Sequence, residues 1–236
     1  MLRPSIGEAG SYFYHSHVDF QADTVAGPLI VGEADGVSPY KYDDERTLFL
    51  SELFNVTDKT AKELGEAEII LVNGKGYRGL KGSEAEASSP YGKWDAAVAE
   101  PCGAAIIEVE PETTYRFRAI GGVALSPLAF ALEDHANLTV ISIDGAYTKP
   151  ADTDLIEMAG GQRYDFLLET KSRKELQKLG KRNFWIQVEN HYRAVNTTSY
   201  AILSYKTDLD LNKTIPSSPP EERPNHIPWA LQDWME

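Results

Sequence analysis

The chain has 236 residues, of which 42% are hydrophobic and 10% aromatic; this excludes a globally disordered polypeptide and suffices for one large domain, or one domain with part of another. A formal net charge of −13 argues against a nucleic-acid partner, because phosphate binding needs clustered Lys and Arg. No run of about 18 apolar residues occurs, so no membrane-spanning helix is expected.

Residues 1–7 lack the apolar stretch of a signal peptide. Residues 12–18 alternate rings with polar groups and predict a strand, and 27–31 is a short apolar run. Two or three strands within residues 1–34 are too few for an independent sandwich. They are expected to be the end of a first domain, exposing apolar surface and giving poor solubility to the chain expressed alone. Further strands are predicted at 46–53, 69–72, 104–109, 114–120, 138–143, 163–168, 184–188 and 200–205. Their bounding turns include Asn73-Gly74 and Asp144-Gly145, and Glu110-Pro111-Glu112 reads as a hairpin-like connection. Two short helices are predicted, at 57–64 and at 172–179, the second with Ser172 as its N-cap. Many short strands between turn signals predict an all-β sandwich or barrel, with residues from about 40 to 207 forming a complete domain. From Asp208 the chain turns Pro- and Ser-rich, and 208–236 reads as an extended linker ending in Trp229 and Trp234.

Four N-x-[ST] sequons, at Asn55, Asn137, Asn196 and Asn212, favour a secreted glycoprotein. Sequons without a signal peptide are reconciled most simply if the natural N-terminus lies upstream. The lone Cys102 is either a buried free thiol or half of a disulfide whose partner is elsewhere.

The candidate chemistry lies in residues 10–31. His15 and His17 are two apart on a predicted strand, so both imidazoles share a face with Cα atoms about 7 Å apart. They could share one ion or serve two ions side by side, and neutral imidazole suits copper, zinc or iron. Ser16 is expected to face the other way. Asp19 falls on the same face, so an unrelated mononuclear hydrolytic or oxygenase site is formally possible. His135, His191 and His226 are read as structural, since a solitary histidine supplies one ligand where a site needs three or four. Glu133 and Asp134 are read as strand neighbours pointing to opposite faces, and Gly160-Gly161 as a turn rather than a phosphate loop.

The segment YFYHSHVDFQADTVAGPLIV (12–31) resembles the second copper motif in the first domain of multicopper oxidases. LVNGKGY (71–77), IIEVEPETTYRFRAIG (106–121), FALEDHANLTVISIDGAYTKP (130–150), AGGQRYDFLLET (159–170) and NFWIQVE (183–189) resemble that family's second domain, in the expected order. The likeness is strongest to ascomycete ascorbate-oxidase-like and laccase-like members. It implies a cupredoxin-like Greek-key β-sandwich for domain 2, preceded by a partial sandwich from domain 1 and followed by a link towards a third domain. It also implies that His15 and His17 each ligate a different copper of the type 3 pair, within a trinuclear cluster whose other ligand motifs lie outside this chain. The parent enzyme would oxidise small reductants, such as phenols or ascorbate, and reduce O2 to water, whereas the isolated chain would be inactive. The resemblance places Cys102 as the cysteine bridging the second domain to the start of the first. Gly103 stands where laccases often carry a substrate-orienting carboxylate, so a laccase-type phenol contact is not implied. The alternative is a truncated, non-catalytic cupredoxin-like module.

Overall fold

The computed structural model describes residues 9–18, 21–22, 24–54, 67, 69–78, 103–193, 197–216 and 220. The strands are β1 (Gly10–His15), β2 (Ala26–Val31), β3 (Asp44–Leu53), β4 (Ile69–Val72), β5 (Tyr77–Arg78), β6 (Ile106–Val109) and β7 (Thr114–Gly121). They continue with β8 (Leu128–Leu132), β9 (Leu138–Ile143), β10 (Ala146–Thr153), β11 (Ile156–Met158), β12 (Arg163–Glu169), β13 (Asn183–Asn190) and β14 (Thr198–Tyr205). One helix, α1 (Arg173–Leu179), lies between β12 and β13.

Two sheets face each other. One has the order β10-β9-β12-β7-β3-β4 and the other β11-β8-β13-β14-β5, with β6 added alongside β14. Most neighbours are antiparallel, but β3 runs parallel to β7 and β6 parallel to β14. Such parallel neighbours are joined by long connections rather than hairpins, as a Greek-key sandwich requires. The connection at Glu110-Pro111-Glu112 is therefore not a hairpin. β6 leaves one sheet there and β7 enters the other.

The core follows from alternation. In β7, Tyr115, Phe117 and Ala119 point inward and are buried. Phe117 stacks on Phe166 of β12 with ring centroids 5.2 Å apart, and Phe130 of β8 reaches Phe166 from the opposite sheet at 6.0 Å. Burying each such ring contributes about 1.5–3 kcal/mol. The strands β5, β8, β10 and β11 are not among those predicted. β8 (LAFAL) is Ala- and Leu-rich and buried throughout, so it shows neither alternation nor β-branched residues. β10 contains Pro150 and pairs only with β9 across a register shift, as an edge strand can.

α1 forms where predicted. Ser172 and Glu175 make a reciprocal capping box, and Gly180 closes the helix at φ 68°. The helix predicted at 57–64 lies outside the described residues. The described part of the tail is not a free linker. Leu209 and Leu211 pack on the main core, and Ile215 packs beside Trp185 and Tyr200.

β1 and β2 form a separate antiparallel hairpin, with Gly10 opposite Val31 and His15 opposite Ala26. It carries exposed apolar side chains, including Tyr14, Val18, Val25, Leu29 and Ile30.

Candidate metal centre

His15 ends β1, and His17 lies two residues past it. The predicted strand 12–18 is thus shortened. Ser16 N donates to Val25 O at 2.9 Å, Ser16 Oγ donates to Gln21 Oε1 at 3.0 Å, and Val18 N donates to Ser16 Oγ at 3.4 Å. These bonds turn the chain at Ser16 towards β2. The two imidazoles still share a face. Phe13, His15 and His17 form a ladder of rings, with centroids 5.3 Å apart at 21° for the first pair and 6.2 Å apart at 28° for the second.

His15 Nδ1 is 2.8 Å from Ser16 O. A carbonyl oxygen only accepts, so Nδ1 carries the hydrogen and Nε2 keeps its lone pair. A ring fixed through one nitrogen with the other available is the arrangement of a metal-ligating histidine. Both imidazoles are exposed, so the face is open to an ion. The donor set fits copper, for which neutral imidazole is a suitable ligand. Among the described residues no group of three or more His, Cys, Asp or Glu is arranged to hold a metal; two imidazoles would make up only part of the three or four ligands such a site needs. Asp19, Cys102, Asn55, Asn196 and His226 lie outside the described residues. Asn137 and Asn212 are exposed.

The hairpin sits on the outer face of the first sheet. Alternation in β7 turns Arg116 and Arg118 away from the core, yet both are buried: Ser11 of β1 lies against Arg118, and the rings of Tyr42 and Tyr147 lie against Arg116. Asp165 lies opposite Arg118 in the β12–β7 register, on that same face. Arg116 Nε donates to Asp165 Oδ2 at 3.0 Å, its Nη2 donates to the same oxygen, and Arg118 Nη1 donates to it at 3.1 Å. Arg118 also forms a bidentate pair with Glu45, at 2.8 Å and 2.7 Å. Ser11 of β1 plugs into this group. Its Oγ donates to Asp165 Oδ1 at 2.6 Å and accepts from Arg118 Nη1 at 3.1 Å, while Arg163 Nε donates to Ser11 O at 2.9 Å. Removing Asp165 would leave two buried guanidinium groups short of a counter-charge, at a cost of about 3–5 kcal/mol.

Close backbone approach completes the seat. A Cβ on Gly10 would come within 2.9 Å of Gly145 Cα. Tyr12 lies over the Asp144-Gly145 turn and under the Arg163 guanidinium, 5.2 Å from its ring centroid. Phe13 faces Gly161, in the turn read from Gly160-Gly161. Ser11, Arg116, Arg118 and Asp165 escaped the sequence analysis. The available signal was charge in the middle of two strands, at Arg116, Arg118 and Asp165.

The other histidines are part of the fold. His135 is buried between Phe184 and Tyr205; its Nδ1 donates to Glu133 O at 2.6 Å, and Nε2 accepts from Tyr205 Oη at 2.8 Å. Burial, assisted by the charge of Lys171, depresses its pKa to about 4. His191 is buried with Nε2 3.1 Å from Glu189 and Nδ1 3.5 Å from Glu157. Burial opposes its charge, but the Glu189 bond and the charges of Glu189 and Glu157 outweigh this and raise its pKa. Glu133 and Asp134 do not sit on a strand. They form the turn after β8, with Asp134 at φ 59°, and both converge on Lys181 Nζ at 2.8 Å and 2.9 Å.

Comparison with known proteins gives this arrangement a family. The pattern described as multicopper oxidase matches residues 42–208. Over the whole chain, 47% of residues are identical to multicopper oxidase terE of Aspergillus terreus, 44% of which is covered. Laccase-like multicopper oxidase 1 of Thermothelomyces thermophilus is 36% identical over 97% of this chain and 40% of its own length. L-ascorbate oxidase of Cucumis sativus is 31% identical over 93% of this chain and 38% of its own length. Among solved structures, Fet3p, described as a multicopper oxidase that functions in iron import, superposes with a TM-score of 0.62 at 25% identity, covering 88% of this chain and 36% of that one. The laccase of Botrytis aclada shares the fold, with a TM-score of 0.59 at 24% identity over 90% of this chain and 38% of that one. The chain thus spans less than half the length of each of these proteins. The all-β sandwich is cupredoxin-like, and the chain belongs to the multicopper oxidase family.

Proposed function

We propose that this chain supplies His15 and His17 as ligands to the type 3 copper pair of an oxidoreductase that oxidises small reductants, phenols or ascorbate-like compounds, and reduces O2 to water. The observation that carries the reading is the His15–His17 pair itself. Two exposed imidazoles stand face to face, with Nε2 of His15 available, in a chain of this family. Bound at these imidazoles, copper would supply the one-electron redox chemistry that links a reductant to oxygen. The chain's own part is to hold two neutral imidazoles at a set separation, with Ser16 O fixing the tautomer of the first. The substrate classes are suggested by the likeness to the laccase-like oxidase of Thermothelomyces thermophilus and to the L-ascorbate oxidase of Cucumis sativus.

In the same reading, residues 1–34 are the end of a first cupredoxin domain, 40–207 form the second, and 208–236 lead towards a third. The exposed apolar side chains of the hairpin support the first assignment. Secretion and glycosylation are supported by the exposure of Asn137 and Asn212, and Cys102 is assigned to a disulfide with a cysteine outside this chain.

The test is copper uptake by the full chain, read by metal analysis and electron paramagnetic resonance. The native chain is expected to take up Cu(II) with nitrogen hyperfine structure that disappears in a His15→Gln/His17→Gln variant. Equal uptake and an equal spectrum in that variant would refute the assignment. The chain alone is expected to turn over no ascorbate, since two protein ligands leave a copper centre incomplete.

A further inference from the structure

The hairpin that carries the imidazoles is tied to the sandwich through both of its strands by one polar network centred on the buried Asp165. At the β1 end, Ser11 Oγ donates to Asp165 and accepts from Arg118. At the β2 end, Glu33 accepts from Tyr147 Oη at 2.5 Å, Tyr147 Oη accepts from Arg116 Nη1 at 3.0 Å, and Arg116 pairs with Asp165. Ser11 and Glu33 both lie at the open end of the hairpin, where Gly10 opposes Val31. His15 lies at the other end, about 13 Å away along the strand at its usual rise. The hairpin is thus a lever whose fulcrum is Asp165, and a tilt of about 5° at the fulcrum moves His15 by about 1 Å over that length. Displacements of that size matter at a metal centre, where ligand distances must hold to about 0.2 Å.

We propose that Asp165, acting through Ser11 at one end and through Arg116, Tyr147 and Glu33 at the other, is a positioning residue that sets the orientation of the His15–His17 pair relative to the sandwich. The inference rests on the copper reading for its consequence, but the clamp itself is a statement about the hairpin. Asp165 touches no copper and no substrate. It acts through the strand. The charges are matched to that task. Two arginines share Asp165, Arg118 is balanced further by Glu45, and Ser11 contributes a neutral hydroxyl that can leave without stranding a charge.

The test uses the full chain with Cu(II) alone as the probe. Ser11→Ala removes the hydroxyl and leaves the Asp165 ion pairs in place. Glu33→Ala releases the β2 end at a half-buried position, so a fold defect in one variant does not remove the other. Each is expected to weaken Cu(II) binding about tenfold, the size of one hydrogen bond to a charged group, and to shift the copper spin-resonance spectrum. In metal-free chain, the β1 amides are expected to exchange hydrogen about tenfold faster while those of β7 and β12 keep their rates. Unchanged affinity, spectrum and β1 exchange in both variants would overturn the proposal. If the His15→Gln/His17→Gln variant holds Cu(II) as the native chain does, the copper reading has failed, and the exchange measurement then decides the clamp alone. Faster β1 exchange in the two variants upholds it, and native exchange overturns it.

Discussion

Lowering the pH is expected to destabilise the sandwich through His135. Its environment on balance disfavours the imidazolium. The ring is buried, edge-on to Phe184 and stacked on Tyr205, with the Lys171 and Lys181 ammonium groups near enough to repel a positive charge; Glu133 O and the Asp134 carboxylate offset this only in part. Nε2, the nitrogen that would be protonated, already accepts the Tyr205 hydroxyl hydrogen, and Tyr205 Oη in turn accepts from Lys171 N at 2.9 Å. Protonation would force that hydroxyl to reverse. The folded pKa is about 4 against an ordinary 6.5. Between these values the unfolded chain binds a proton that the folded chain refuses, so stability falls as pH falls through this window. At about 1.4 kcal/mol per pH unit the loss is about 2 kcal/mol by pH 5 and about 3 kcal/mol by pH 4. Urea unfolding at pH 7, 6 and 5 measures it, with His135→Gln as the reference that removes this ionisation and keeps the carboxylate titrations common to both chains. The native chain should lose about 2 kcal/mol more than the variant between pH 7 and 5. Parallel stability curves, or a native chain that gains stability on acidification, would refute the reasoning.

His191 predicts the opposite sign in a separate window. Its folded pKa is raised, so its contribution is complete below pH 6.5 and is lost as pH rises through the folded value; His191→Gln should flatten the stability curve above pH 6.5, and an unaltered slope there would contradict the assignment. Gly145→Ala should destabilise by about 1–2 kcal/mol from the left-handed backbone alone. Gly145 has φ 85°, and the added Cβ would also meet Tyr12 Oη at 2.7 Å, so part of the cost should vanish in a Tyr12→Ala background when melting temperatures are compared as a double-mutant cycle.

Much of this molecule is legible in the residue order. Alternation in Tyr115–Ala119 and in Tyr164–Leu168 marks strands with one apolar face, Ser172 with Glu175 marks the start of α1, and Asn73-Gly74 and Asp144-Gly145 mark turns that need left-handed backbone. These signals are local, because hydrogen-bonding partners and backbone strain lie within a few residues of one another. The histidine pair was legible for the same reason, and its surroundings in the sequence carried the family.

The sheet partners were not legible. The connection at Glu110-Pro111-Glu112 resembles a hairpin in sequence, and only packing sends β6 beside β14 and β7 beside β3. The carboxylates of Glu133 and Asp134 look opposed on paper, and a turn brings both to Lys181. By alternation Arg116 and Arg118 fall on the face of β7 turned away from the core. Arg118 is covered by Ser11, more than a hundred residues earlier, and Arg116 by Tyr42 and Tyr147, and a charge goes underground only when a distant partner such as Asp165 meets it there. The residue order therefore marked most of the elements, the family and the candidate histidine pair, whose causes are local. The tertiary structure alone decided what holds that pair in place, since the clamp consists of contacts between segments that the sequence keeps far apart.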